Sequence, residues 1–98
     1  MIGAPRPARQ RIQQEPDDQD FQLRDLVGYM AKGLVDHPDD VEVEILSAGD
    51  DGVLELHVNQ DDLGHVIGKL GRTARSLRLA LGAAAAHAGR KAGLEIAD

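Results

Sequence analysis

The chain has 98 residues, no cysteine and a formal net charge of −6, which suits one small domain with neither disulfides nor thiolate metal ligands. A single phenylalanine, a single tyrosine and no tryptophan argue against an RNA-reading sheet paved with aromatics. No stretch reaches the ~20 apolar residues of a membrane span, and the N-terminal arginines precede no continuous apolar core like a signal peptide's. The expectation is a cytoplasmic protein without a membrane association.

Residues 1–20 hold three of the four prolines, several glutamines, a basic piece (Arg6, Arg9, Arg11) and an acidic one (Glu15, Asp17, Asp18, Asp20). With only Ile2 and Ile12 as bulky apolar residues, the segment buries too little to offset the entropy of ordering and reads as a disordered tail. A solvated tail is the simpler reading; nonspecific attraction of its arginines for RNA is the alternative. The folded domain is then 21–98, close to the size at which one core becomes marginal, so help from an oligomeric partner is expected.

From Phe21 to Asp36, the residues Phe21, Leu23, Leu26, Val27, Met30, Ala31, Leu34 and Val35 recur at helical intervals, with Asp20 available as N-cap. His37-Pro38 closes the helix, because a residue preceding proline is pushed out of the α region. Phe21 and Tyr29 read as core or interface residues rather than as platforms for bases. Val41, Val43 and Ile45 alternate with glutamates, as do Leu54, Leu56 and Val58 with Glu55 and His57. Across the turn Ala48–Gly52 they form an antiparallel hairpin with one face on the helices and a glutamate-rich face in water. His57 reads as a solvated member of that outer face. Asn59 to Asp62 leaves the strand, and Asp61 or Asp62 can cap a short helix Leu63–Ile67.

That helix runs into Gly68-Lys69-Leu70-Gly71, followed at helical spacing by Arg72, Arg75 and Arg78. Glycines at both ends of a tight turn allow positive φ and remove the Cβ atoms that would hold another molecule away. The helix beginning after it presents unpaired N–H groups and a positive dipole end, a natural site for phosphate. Leu77, Ala80, Leu81, Ala84 and Ala88 form its apolar stripe; Leu79, Ala83 and Ala86 share the arginine side. These small residues could seat another helix, the chain's own first helix or a partner's, the former being the simpler choice. Gly89-Arg90-Lys91 ends the helix, and Leu94 and Ile96 read as a last strand, parallel to the second because a crossover must reach it.

Charge is unevenly distributed. Between Ile12 and Asp62 fifteen acids face two bases, whereas Leu63 to Gly93 carries six bases and no acid. A polyanion is attracted to one part of the molecule and repelled by the rest.

Val66-Ile67-Gly68-Lys69-Leu70-Gly71-Arg72 resembles the GXXG loop of a KH domain, which clamps about four backbone nucleotides of a single strand. The wider context, from Leu26 through Val35-Asp36-His37-Pro38 to the alanine-rich helix, resembles the small bacterial single-KH-domain proteins of the KhpA family, over roughly residues 21–97. The resemblance implies an α+β, type II KH fold of order α-β-β-α-α-β, with a three-stranded mixed sheet and helices on one face; the periodicities independently agree. It also implies that Gly68, Lys69, Leu70 and Gly71 grip the RNA backbone and that Val66 and Ile67 give the bases an apolar floor. By the same resemblance Arg72 and Arg75 neutralise phosphates, and Gly64 and His65 line the rim. The second variable loop position is usually polar or glycine in that family and is Leu70 here. Homodimers, or pairing with a larger KH-domain protein, and roles in RNA metabolism linked to growth and division are the further implications.

Other chemistries fit poorly. A Walker loop needs four residues between its glycines and Ser or Thr after the lysine, but Gly64 and Gly68 enclose three and Leu70 follows Lys69. The four histidines have no ligand-like spacing, and neither Ser47 nor Ser76 has a base nearby in sequence. The chain therefore reads as a non-enzymatic RNA-binding module with no cofactor or metal. The alternative is a protein-interaction subunit using the same loop and helix surface, with little RNA binding of its own.

Overall fold

The computed structural model describes residues 15–98, so the expected tail lies mostly outside the described residues. Helices α1 (Asp18–Lys32), α2 (Leu63–Ile67) and α3 (Arg72–His87) accompany strands β1 (Glu42–Ser47), β2 (Asp51–His57) and β3 (Lys91–Ile96). Their chain order is α-β-β-α-α-β, the expected α+β arrangement. β2 is central, antiparallel to β1 and parallel to β3. A bulge between Ile45 and Ser47 leaves Leu46 unpaired and turned to solvent.

Alternation decides which face each strand buries. Leu54 and Leu56 on β2 and Leu94 on β3 join Leu23, Val27 and Ala31 of α1, Val66 of α2 and Leu77, Leu81 and Ala85 of α3 in one core. Glu42 and Glu44 on β1 and Glu95 on β3 are exposed, so the open face of the sheet is acidic. His57 is not simply solvated there. Its Nε2 lies 2.9 Å from Glu55 Oε1 and 3.6 Å from Glu44 Oε1.

Helix α1 departs from expectation at both ends. Its N-cap is Asp17, not Asp20, and the helix starts inside the stretch expected to be tail. Asp17 accepts from the Asp20 N–H at 3.0 Å while Asp20 accepts from the Asp17 N–H at 2.8 Å, a capping box made by two aspartates. The helix ends at Lys32 with Gly33 as C-cap, several residues before proline becomes relevant. Phe21 and Tyr29 are exposed and belong to no core.

At its far end α3 closes in a Schellman arrangement. Gly89 takes φ +76°, its N–H donates to Ala86 O and that of Arg90 to Ala85 O, both at 2.9 Å. The first helix packs on the Leu77–Leu81–Ala85 side of α3, not on Leu79, Ala83 and Ala86, which are all exposed.

Candidate nucleic-acid interface

The glycine loop is a short bend between α2 and α3. Gly68 N–H donates to Gly64 O at 2.8 Å, closing α2, and Gly71 N–H to Gly68 O at 3.1 Å. Gly68 (φ 76°, ψ 171°) occupies a region that residues with a Cβ essentially never enter. A Cβ there would also lie 2.7 Å from Thr73 Cβ and 2.8 Å from Thr73 N. Gly71, at φ 73° and ψ 14°, is left-handed but open, with nothing within 4 Å of an added Cβ. Leu70 between them is the one described non-glycine residue at positive φ, with its side chain 79% exposed.

No side chain caps α3, whose N-cap is Gly71. The Arg72 N–H already donates to Lys69 O; the positive dipole end and the remaining amides of the first turn have no side-chain cap to compete with an anion. Lys69, Arg72 and Arg75 are exposed, and none of them is ion-paired among the described residues. Two other cations of the basic segment are committed elsewhere. Arg78 Nε donates to Leu94 O at 3.1 Å, and Arg90, only 11% exposed, bonds Asp17 at 2.9 Å and Asp20 at 3.2 Å.

The residues before the loop divide differently from expectation. Val66 is fully buried in the core and has no surface with which to touch a base directly. Ile67 is partly exposed and stays available. Gly64 is exposed and needs no absence of side chain, since a Cβ there meets nothing within 4 Å. His65 is exposed but turned to carboxylates, its Nε2 lying 3.5 Å from Asp36 Oδ2 and 4.0 Å from Asp62 Oδ1.

Contrary to the expectation that Asp61 or Asp62 caps α2, no side chain caps it; Asn59 caps the preceding turn, accepting from the Asp61 N–H. The Asp62 carboxylate is buried and fixes the α1–β1 connection by accepting from Asp36 N–H at 3.2 Å, His37 N–H at 3.0 Å and His37 Nδ1 at 2.9 Å. Burial pushes its pKa up, but the His37 and backbone hydrogen bonds outweigh this and hold it below the ordinary value. The same hydrogen bond, against some desolvation and helped by the charge of Asp62, raises His37 above 6.5. Nothing in the local sequence marks this contact, whose partners stand 25 positions apart.

Two clusters bring potential metal ligands within 4.8 Å of one another, Asp36 with Asp62 and His65, and Glu44 with Glu55 and His57. Linear spacing concealed both because each draws on separate elements. In the first, Asp62 already accepts three N–H groups; in the second, His57 already engages Glu55.

Residues 24–96 match the family described as KhpA/KhpB, KH domain. A protein of Halalkalibacterium halodurans named RNA-binding protein KhpA is 47% identical over 76 residues, 78% of this chain and 100% of its own. Proteins of the same name from Borreliella burgdorferi and Leifsonia xyli subsp. xyli are 42% and 47% identical, over 76% and 71% of this chain and 90% of each relative. With the order α-β-β-α-α-β, the parallel β2–β3 pair and a GXXG bend between α2 and α3, the chain belongs to the KhpA/KhpB KH-domain family.

Proposed function

We propose that this chain binds single-stranded RNA in the cytoplasm through its glycine loop, as a binding protein rather than an enzyme. The observation that carries this reading is the set of three exposed, unpaired cations, Lys69, Arg72 and Arg75, around the uncapped start of α3. The names of the relatives support it. Phosphates approach Gly68 and Gly71, where no Cβ intervenes, and meet amide donors, the helix dipole and the three charges. Ile67 offers apolar surface to a base, and Leu70 projects from the loop. Such a grip spans about four nucleotides and is weak alone, so a second KH surface, in a homodimer or a larger KH-domain partner, raises avidity. Roles in RNA metabolism linked to growth and division are consistent with that assembly.

The glycines are poor places to test the grip, because any side chain at Gly68 collides with Thr73. Lys69→Asp with Leu70→Asp is better. Both side chains are exposed, and aspartate tolerates the left-handed conformation of Leu70. The expected result is an unchanged circular dichroism spectrum with at least a tenfold loss of RNA affinity, roughly the effect of reversing one phosphate contact and adding a second repulsive charge. Crosslinking to RNA at the wild-type level would falsify the grip. The exposure of Leu70 favours one alternative, a protein-interaction subunit. In that case wild type and double variant bind RNA equally weakly, and the variant loses a protein partner.

A further inference from the structure

A second feature adjoins the loop. Residues of α1 and α3 line a groove of about 790 Å³, within the range of sites that hold small ligands, ~300–1,000 Å³. Met30, Leu34 and Leu77 give it apolar walls, Thr73 and Ser76 supply hydroxyls, and Tyr29 and Lys32 stand at its α1 side. No acid lines it. Tyr29 is 81% exposed, the most exposed large apolar residue described, and Lys32 is exposed without an ion pair among the described residues.

Tyr29 also borders a second groove, between α1 and β1, and the contrast between the two selects an occupant. The β1 groove carries Asp25, Glu42 and Glu44 against Arg24 and Lys32, with Arg24 already paired to Asp25, so the balance of its charge repels phosphate. The α3 groove is free of carboxylates and continuous with the glycine loop through Thr73, whose backbone and Cβ pack against Gly68 and whose side borders the groove. A strand held at Lys69 and Arg72 thus has one electrostatically open continuation.

We propose that the groove between α1 and α3 carries the RNA beyond the nucleotides held by the loop, with one base stacked on Tyr29 and a phosphate beside Lys32. The inference rests on the RNA-binding reading above and deepens it. A flat ring on a helix is a sequence-tolerant platform for any base. The hydroxyls of Thr73 and Ser76 lie where an apolar-walled groove has polar groups to meet a base edge. The exposure of Tyr29 removes the core half of its expected role as core or interface residue, and the groove gives it a base to meet.

Tyr29 is the only tyrosine, and the chain has no tryptophan, so intrinsic emission reports on this position alone. The experiment titrates the full chain with uridine oligomers of four and eight nucleotides, following emission and, separately, anisotropy of labelled RNA. The expected result is quenching by the eight-mer well beyond that by the four-mer, with tighter binding of the longer RNA. Tyr29→Ala shrinks the advantage of eight nucleotides over four by about tenfold, as loss of one base–aromatic stack does. Tyr29→Phe restores it, because stacking needs the ring and not the hydroxyl. Lys32→Ala lowers eight-mer affinity and flattens its salt dependence. Unchanged emission, or Tyr29→Ala binding the eight-mer as wild type does, overturns the groove while leaving the loop in place. Failure of the wild type to bind either oligomer overturns both readings. Emission that changes with protein concentration without RNA assigns the groove to a second copy and overturns the proposal.

Discussion

At the start of α3, Gly68 and Gly71 precede Arg72 and enclose Lys69; at its end, Gly89 precedes Arg90 and Lys91. Both ends join left-handed glycines to cations, yet they behave as opposites. Among the described residues the first end has no ion-paired acid and no side-chain cap, and its cations are exposed. At the second, Asp17 and Asp20 reach across from α1 and absorb Arg90 into a nearly buried network. Arg90 holds the Asp17 carboxyl well below the usual carboxylate range and is itself raised in turn. The comparison teaches that a count of basic residues measures nothing until the acids within reach are known. Six bases in the segment become three free ones around the loop.

The sharpest way to break the contrast is to remove Asp20, which is buried and binds Arg90, Gly49 N–H at 3.1 Å and Asp17 N–H at 2.8 Å. Asp20→Ala strands the Gly49 donor, opens the capping box and leaves Arg90 with one partner. The expected loss is about 3 kcal/mol, combining an unpaired buried donor with a lost cap. Urea unfolding measures it. A loss below about 1 kcal/mol would mean that the network is ornamental and that Arg90 is as free as Arg72.

Within the loop the two glycines should differ. Gly68→Ala meets both a forbidden backbone region and Thr73, whereas Gly71→Ala meets only the left-handed penalty of about 1–2 kcal/mol. Denaturation should therefore rank Gly68→Ala as the more damaging, by about 1 kcal/mol or more. Thr73→Ala should not rescue it, since the Thr73 backbone nitrogen itself stands 2.8 Å from the added Cβ. Equal costs would place the glycine requirement in conformation alone.

Salt dependence compares the ends directly. Each phosphate contact contributes about 0.7 to the logarithmic salt slope for a single strand, so for a four-nucleotide RNA held by the loop alone Lys69, Arg72 and Arg75 together predict a slope near −2. Arg72→Ala or Arg75→Ala should each reduce it by about 0.7. Lys91→Ala should leave it unchanged. A helix of 16 residues is ~24 Å long, beyond the ~10 Å screening length at 0.1 M salt. An equal effect of Lys91→Ala would show that the whole basic segment acts as one field.

Much of the architecture was legible in the sequence because alternation and helical spacing are local. The hairpin, the parallel last strand and the position of the glycine bend all follow from residues a few positions apart. The candidate site was legible only where its parts adjoin, at Gly68 to Arg72. Val66 looked like a partner of Ile67, yet one step along α2 turns it into the core. Asp62 looked like a helix cap and instead tethers His37, and Arg90 looked like part of the basic face and instead reaches Asp17, 73 positions away. Pairings at such separations leave no periodic trace, which is why the acids and bases could be counted but not matched. The exposure of Tyr29 was hidden by its place in an otherwise amphipathic repeat.

The smallest effect is expected from pH, and it separates the Asp62 tether from the glycine loop. The His37 pKa is raised above 6.5 by its hydrogen bond to Asp62, so its contribution to stability is complete below 6.5 and disappears as pH rises through the raised value. Asp62 is lowered from 3.8 despite its burial, so its contribution holds above 3.8 and fades only as pH falls through the depressed value. Between these limits both are present. Melting temperature should therefore decline modestly from pH 6 to pH 8, and His37→Gln should flatten the decline. His65, facing Asp36 at 3.5 Å, and the nearby Asp40 and Asp61 contribute charge to the same region, so His65→Gln is the necessary control. A slope that survives His37→Gln would take the pH dependence of stability away from the tether. In that case the pH dependence of RNA binding, rather than of unfolding, becomes the quantity to follow.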